Sequence, residues 1–182
     1  MILANARQCL TRDDAQLALR LVARGSAHDY DYAETRLRDE GMDSLLDDPR
    51  LLGALLTTPQ GAHASLPLFA YVVVRHALRD AGADDRVIAD YVTSILLHFG
   101  MRDRALRIAD SDDEIYRTMS DLLTDAGAND EVRGTGATRA FLVRTHLGNY
   151  ALWLSGLFPD HVEHRRWRRG GPDLDYFEDM GR

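Results

Sequence analysis

Residues that cap helices alternate with apolar residues at helical spacing along nearly all of this 182-residue chain. The clearest segment starts at Asp84 or Asp85, and its apolar residues recur at i, i+1, i+4, i+5, i+8, i+9 and i+12: Val87, Ile88, Tyr91, Val92, Ile95, Leu96 and Phe99. This spacing puts them on one face of a helix. Since no segment has a convincing strand pattern, the chain is expected to be all-helical.

Capping residues and periodicity predict further helices over segments 11–25, 29–40, 48–58, 65–82, 111–127, 137–157, 159–169 and 172–179. The β-branched run within 65–82 also fits a buried strand. Its length of roughly 15 residues, between a capping serine and a terminal glycine, favours a helix surrounded by other helices.

The segment from Ala137 to Leu157 is the longest apolar helix, with apolar residues around its whole circumference. Its small residues, Gly148, Ala151, Ser155 and Gly156, would let a neighbouring helix approach closely. We therefore predict an all-α fold, in which residues 1–182 form a single-domain multi-helix bundle around this long central helix. The segment from about 159 either joins the bundle or forms an appended helical arm.

All 22 basic residues are arginines, and the chain contains no lysine. This excludes Schiff-base and pyridoxal-phosphate enzymes, P-loops and kinase-type phosphate sites, because each needs an amine. Neither a GxSxG elbow nor a recognisable catalytic triad is present. We therefore predict no catalytic residue and no cofactor.

The net charge of -7 disfavours binding to nucleic acid or to anionic lipid. Cys9 is the only cysteine, which excludes an internal disulfide and CxxC motifs and suggests a reducing compartment. The start of the chain does not resemble a signal peptide, and the apolar stretches fall short of the roughly 20 residues that span a membrane. A cytoplasmic, soluble protein is expected.

His161 and His164 stand three residues apart beside Asp160 and Glu163, which is a conceivable metal arrangement. The spacing is not that of HExxH, and no glutamate stands three residues before a histidine. We interpret the pair as solvated surface and predict no metal.

The densest charge cluster is formed by five consecutive residues: Arg165, Arg166, Trp167, Arg168 and Arg169. It could bind phosphate, nucleic acid or an acidic partner, with the tryptophan as a stacking surface. The favoured alternative is internal, because arginines complement the C-terminal dipole of a helix and acids follow closely: Asp173, Asp175, Glu178 and Asp179.

Two weaker candidates lie in or near the long helix. Arg133 and Arg139 flank a glycine- and threonine-rich loop that could hold an anion at a helix start, although a flexible loop with a threonine cap explains it equally well. One face of the helix carries four residues that either line a pocket or form a hydrogen-bonded core network: His146, Asn149, Tyr150 and Trp153.

Two partial resemblances were found. The segment from Thr11 to Gly25 looks like the first helix of TetR-type regulators, but residues 28–48 lack the recognition-helix pattern. The segment from His146 to Gly181, reading HLGNYALWLSGLFPDHVEHRRWRRGGPDLDYFEDMG, resembles an uncharacterised bacterial all-helical family. This resemblance implies a particular backbone arrangement at Gly148, Asn149 and 170–172, and a final helix cut short at Arg182. It implies no activity.

The function that these features favour is binding. We expect a protein that acts through a contact surface, either as an interaction or regulatory module or as part of a homo-oligomer. The alternative is a helical protein that binds a small molecule or anion in a pocket along 137–157. An enzyme with an unrecognised site ranks third.

Overall fold

The computed structural model describes residue 2, residues 4–100 and residues 136–181, and of 136–140 and 169 only the helical backbone. Helices account for most of these residues, and none of them lies in a strand. The prediction of an all-α multi-helix fold is therefore confirmed. The predicted helix at 111–127 and the loop that carries Arg133 lie outside the described residues.

Internal contacts divide the chain into two compact units. One unit comprises Leu3–Leu97, and the other comprises His98–Arg182 together with Met1–Ile2. We call them the N-terminal and C-terminal units. A single domain over 1–182 stays a prediction. The segment from about 159 packs against the preceding long helix inside the C-terminal unit.

Eight helical elements follow one another from the N-terminus, two of them 3-10 turns. They are the turn Ala6–Cys9, α1 (Arg12–Ala23), α2 (Ala27–Glu40), α3 (Asp43–Leu46), α4 (Pro49–Thr57), the turn Pro59–His63, α5 (Leu66–Asp80) and α6 (Arg86–Phe99). The last two residues of α6 already belong to the C-terminal unit. The core of the N-terminal unit brings together side chains from α1, α3, α4 and α5, including Leu17, Val22, Leu45, Leu46, Leu51, Leu68, Tyr71 and Val72.

Local capping chemistry sets most of these helix starts. Thr11 caps α1 in a capping box with Asp14, whose carboxylate accepts a hydrogen bond from the Thr11 backbone N–H at 2.8 Å. Asp48 caps α4 and Ser65 caps α5, as the sequence predicts. Helix α2 begins earlier than predicted, because Ser26 rather than Asp29 provides the cap.

The end of α1 differs from the expectation. The left-handed capping position was predicted at Gly25, yet Arg24 already adopts it, with φ of 48°. Gly25 follows with φ of 82°. A non-glycine residue in this region is uncommon, and here it begins the three-residue connection, 24–26, that leads from α1 into α2.

Three described helices form the C-terminal unit. They are α7 (Gly136–Leu157), α8 (Pro159–Arg169) and α9 (Leu174–Gly181). Helix α9 lies along α7, and their small core contains Ala151, Leu154, Val162 and Phe177. The close approach that the small residues predict occurs at Gly148, where an added Cβ would lie 3.3 Å from the Met180 carbonyl oxygen. Gly156 has no such neighbour.

The long apolar helix is present with 22 residues. Its position at the centre of a bundle stays a prediction, because Phe141, Leu152 and Leu157 on α7 are exposed. Within the described part of the chain, no helix combines the length and the apolar character needed to cross a membrane.

Candidate functional site

The basic cluster occupies the last two turns of α8, and the four of its side chains that the structure describes, those of residues 165–168, are exposed to solvent. Trp167 is 89% exposed, the highest value among the large apolar residues described as exposed. Arg165, Arg166 and Arg168 are exposed as well. Arg169 ends the helix, and its side chain is not among those described. Val162 is the buried residue among the described side chains of α8, and it lies in the first half of the helix.

Among the described residues, Arg166 is the member of the cluster that forms ion pairs. Its guanidinium lies 4.0 Å from Glu163 on the same helix and 4.0 Å from Asp173 after the Gly170 turn. Ion pairs between half-exposed side chains that are 4.0 Å apart contribute little stability. Neither Arg165 nor Arg168 forms an ion pair with a described residue, and the same holds for the carboxylates of Asp175 and Glu178.

The structure describes the remaining candidate binding residues only in part. Arg139 lies in the first turn of α7, where the backbone alone is described, and Arg133 lies outside the described residues. His161 and His164 are exposed on α8. Among the residues that the structure describes, no three His, Cys, Asp or Glu side chains are grouped as metal ligands would be.

The polar face of α7 is part of an aromatic cluster. The ring of Phe99 packs against three residues of α7. Its ring centroid lies 5.3 Å from that of His146, 5.7 Å from that of Tyr150 and 5.8 Å from that of Trp153. Phe158 packs edge-on against Trp153 at 5.0 Å. Asn149 is 4% exposed and His146 is 6% exposed. The four predicted residues thus lie together, and their role as a ligand pocket stays a prediction.

Burial raises the pKa of Tyr150, and the positive charge of Arg165 opposes this shift only in part. Tyr150 is therefore protonated at neutral pH and can donate a hydrogen bond but cannot act as a base. The influence of Arg165 also indicates that this guanidinium lies within electrostatic range of the aromatic cluster.

An ion-pair network around the short helix α3 was not predicted from the sequence. Asp47 receives hydrogen bonds from Arg75 Nε at 2.7 Å and from Arg86 Nη2 at 2.6 Å, and its carbonyl oxygen accepts from Arg79 Nη1 at 2.8 Å. Arg75, which is 3% exposed, also pairs with Asp84. The network thus ties the end of α3 to α5 and to the start of α6.

A second part of this network joins the first 3-10 turn to α3 and α6. Arg7 Nη1 lies 3.0 Å from Asp43, and the Arg7 backbone N–H donates to Asp90 at 2.8 Å. Four arginines face four aspartates in the whole network, so its formal charge is zero: Arg7, Arg75, Arg79, Arg86, Asp43, Asp47, Asp84 and Asp90. We interpret it as a structural cross-link.

No protein-family model, curated protein or solved structure matches the chain. The resemblance of residues 146–181 to an uncharacterised bacterial family stays a prediction.

Proposed function

We propose that this protein is an interaction module that associates with a second copy of itself through α8 and α9. We define the α8–α9 surface by five residues: Arg165, Trp167, Arg168, Asp175 and Glu178. The single observation that carries the proposal is the 89% exposure of Trp167. An exposed tryptophan leaves a large apolar area in water, and tryptophan and arginine are among the residues most enriched at the energetic centres of protein interfaces.

The charges of the α8–α9 surface favour a second copy over other partners. Two arginines on α8 and two acids on α9, none of which is ion-paired with a described residue, belong to the same compact unit. A two-fold axis brings the same surface of both protomers together, so the arginines of each can face the acids of the other. The acids of α9 also disfavour a polyanion such as nucleic acid.

Further apolar area is exposed in the same unit. Leu157 and Phe158 at the junction of α7 and α8 are 49% and 44% exposed, and Tyr176 on α9 is 40% exposed. Interfaces between identical chains are more apolar at their centres than ordinary protein surfaces. These exposed residues add to the apolar area that the C-terminal unit can offer to a second copy.

Light scattering after gel filtration tests the association. In low salt the wild-type chain is expected to show twice its mass of 20.4 kDa. The double reversal Arg165→Glu/Arg168→Glu, and separately Asp175→Arg/Glu178→Arg, should each give the monomer mass, because like charges then meet across the two-fold contact. A chain with all four reversals should dimerise again. Trp167→Ala should weaken the dimer by roughly 30-fold, the effect typical of an interface anchor.

The matched control is Arg12→Glu/Arg38→Glu, which reverses two exposed arginines of the N-terminal unit that form no ion pair with a described residue, and it should leave the dimer intact. Circular dichroism checks that each variant remains helical. A monomer mass for the wild type at every salt concentration would reject the proposal. So would a dimer that survives both double reversals.

A further inference from the structure

The N-terminal unit contains an open cleft of about 950 Å³. It lies where the end of α1, the start of α2 and the end of α4 meet. Its floor is apolar and formed by core residues, namely Leu21 and Ala23 of α1 and Ala54 of α4, which are 2–4% exposed. Its rim carries polar side chains, including Arg20, Arg24, Asp31 and Gln60. An apolar floor with a few polar groups at the rim, at a volume of about 300–1,000 Å³, is typical of sites for small ligands.

The two rim arginines differ from most arginines of this unit. Six other arginines of the N-terminal unit form ion pairs with aspartates, namely Arg7, Arg36, Arg50, Arg75, Arg79 and Arg86. Arg20 and Arg24 have no ion-pair partner among the described residues, and Asp31 on the same rim pairs with neither. The cleft therefore has a formal charge of +1 from its two cations and one anion.

The backbone helps to hold Arg24 at the mouth of the cleft. Its left-handed conformation ends α1, and its Nη2 atom lies 4.0 Å from the position that a Cβ on Gly53 would occupy. The guanidinium of Arg24 thus extends from the end of α1 to the side of α4. Arg20 precedes it by one helical turn on α1, and both arginines line the cleft.

We propose that this cleft binds a small amphipathic carboxylate. The carboxylate would pair with Arg20 and Arg24, since planar guanidiniums bind carboxylates through two parallel hydrogen bonds. The apolar body of the ligand would lie on Leu21, Ala23 and Ala54. This inference is independent of the α8–α9 surface, because the cleft belongs entirely to the N-terminal unit.

Isothermal titration calorimetry with the full chain tests the site, with octanoate as the probe below its micelle concentration. Octanoate is expected to bind with saturable, one-site behaviour. Arg20→Gln/Arg24→Gln should weaken binding at least tenfold, because both charged contacts to the carboxylate are lost. Thr57→Trp should also weaken it at least tenfold, since Thr57 is an exposed residue of the lining and the larger ring would fill the cleft without changing the core.

Arg12→Gln/Arg38→Gln is the matched control, and it should bind octanoate as the wild type does, because neither arginine lines the cleft. Two further ligands separate the parts of the proposal. Octanol that binds as tightly as octanoate would overturn the role of the arginines, and inorganic phosphate that does so would overturn the role of the apolar floor. Absence of octanoate binding, or unchanged binding in the Arg20/Arg24 variant, would reject the site.

Discussion

Replacing Asp47 with alanine is expected to lower the free energy of unfolding of the N-terminal unit by about 3 kcal/mol. The reason is that Arg75, only 3% exposed, would keep its charge but lose the carboxylate that hydrogen-bonds to its Nε. The exposed Asp84 would remain as its ion-pair partner, and Arg86 would lose its close partner too. Urea unfolding followed by circular dichroism measures the change. Both tryptophans lie in the C-terminal unit, so tryptophan fluorescence would not report on the N-terminal unit. Hydrogen exchange in peptides from residues 3–97 therefore shows where stability is lost.

Asp39→Ala provides the control. Asp39 is exposed on α2 and has no ion pair within the described part of the chain, so its removal should change stability by less than about 0.5 kcal/mol. If Asp47→Ala and Asp39→Ala were equally stable, the network around α3 would have no structural role.

The stability that Asp47 contributes should also depend on pH. Partial burial on its own would raise the pKa of Asp47, but hydrogen bonds from Arg75 and Arg86 outweigh burial and hold the pKa below its ordinary value of 3.8. The contribution is therefore complete above the unfolded pKa and is lost as the pH falls through the folded one. Wild-type stability measured from pH 6 down to pH 2 should fall more steeply than that of Asp47→Asn. Parallel curves would contradict this assignment.

Gly61→Ala is expected to destabilise the N-terminal unit by roughly 2–3 kcal/mol. Gly61 lies in the 3-10 turn after α4, and a Cβ at this position would stand 2.3 Å from the carbonyl oxygen of Leu55. The obstacle is backbone of α4, so the turn itself would have to move away from the helix. Thermal and urea unfolding, again combined with hydrogen exchange, measure the effect.

Gly53→Ala is the control for Gly61→Ala. An added Cβ at Gly53 has only Arg24 Nη2 in its neighbourhood, at 4.0 Å, and the position lies inside α4. Alanine is the better helix former, so this variant should be more stable by up to about 1 kcal/mol. If Gly53→Ala and Gly61→Ala lost the same amount of stability, the close contact between a Cβ at position 61 and the Leu55 carbonyl would not be the cause of the destabilisation.

The helices were predictable because the signals that define them are local. Thr11, Asp48 and Ser65 cap helices within three residues of themselves, and Pro159 marks the start of α8. The short helix α3 was missed, since four residues leave no periodic pattern to recognise. The periodicity of α6 also did not reveal how much of its apolar face is covered. Val87 and Ile88 lie on that face and are 64% and 46% exposed.

The candidate sites were predictable to different degrees. The basic cluster with Trp167 could be recognised because its residues are consecutive in the sequence. The network around α3 could not, because Asp47 is separated from Arg75 by 28 residues and from Arg86 by 39. The cleft depends on how three helix ends meet, and nothing in the sequence distinguishes Arg20 and Arg24, which line it, from other exposed arginines such as Arg12 and Arg38.

The buried Tyr71 makes the stability of the N-terminal unit sensitive to alkaline pH. Its hydroxyl is buried without a hydrogen-bond partner among the described residues, and burial raises the pKa of Tyr71 to about 12. Ionising the Tyr71 hydroxyl thus requires more free energy in the folded chain than in the unfolded chain. Stability should therefore be lost as the pH rises from 10.0, the pKa of Tyr71 in the unfolded chain, through its higher pKa in the folded chain. The cations around Tyr71 are guanidiniums, which keep their charge over this range. Acid therefore acts on this unit through carboxylates such as that of Asp47, whereas alkali acts through the buried phenol of Tyr71.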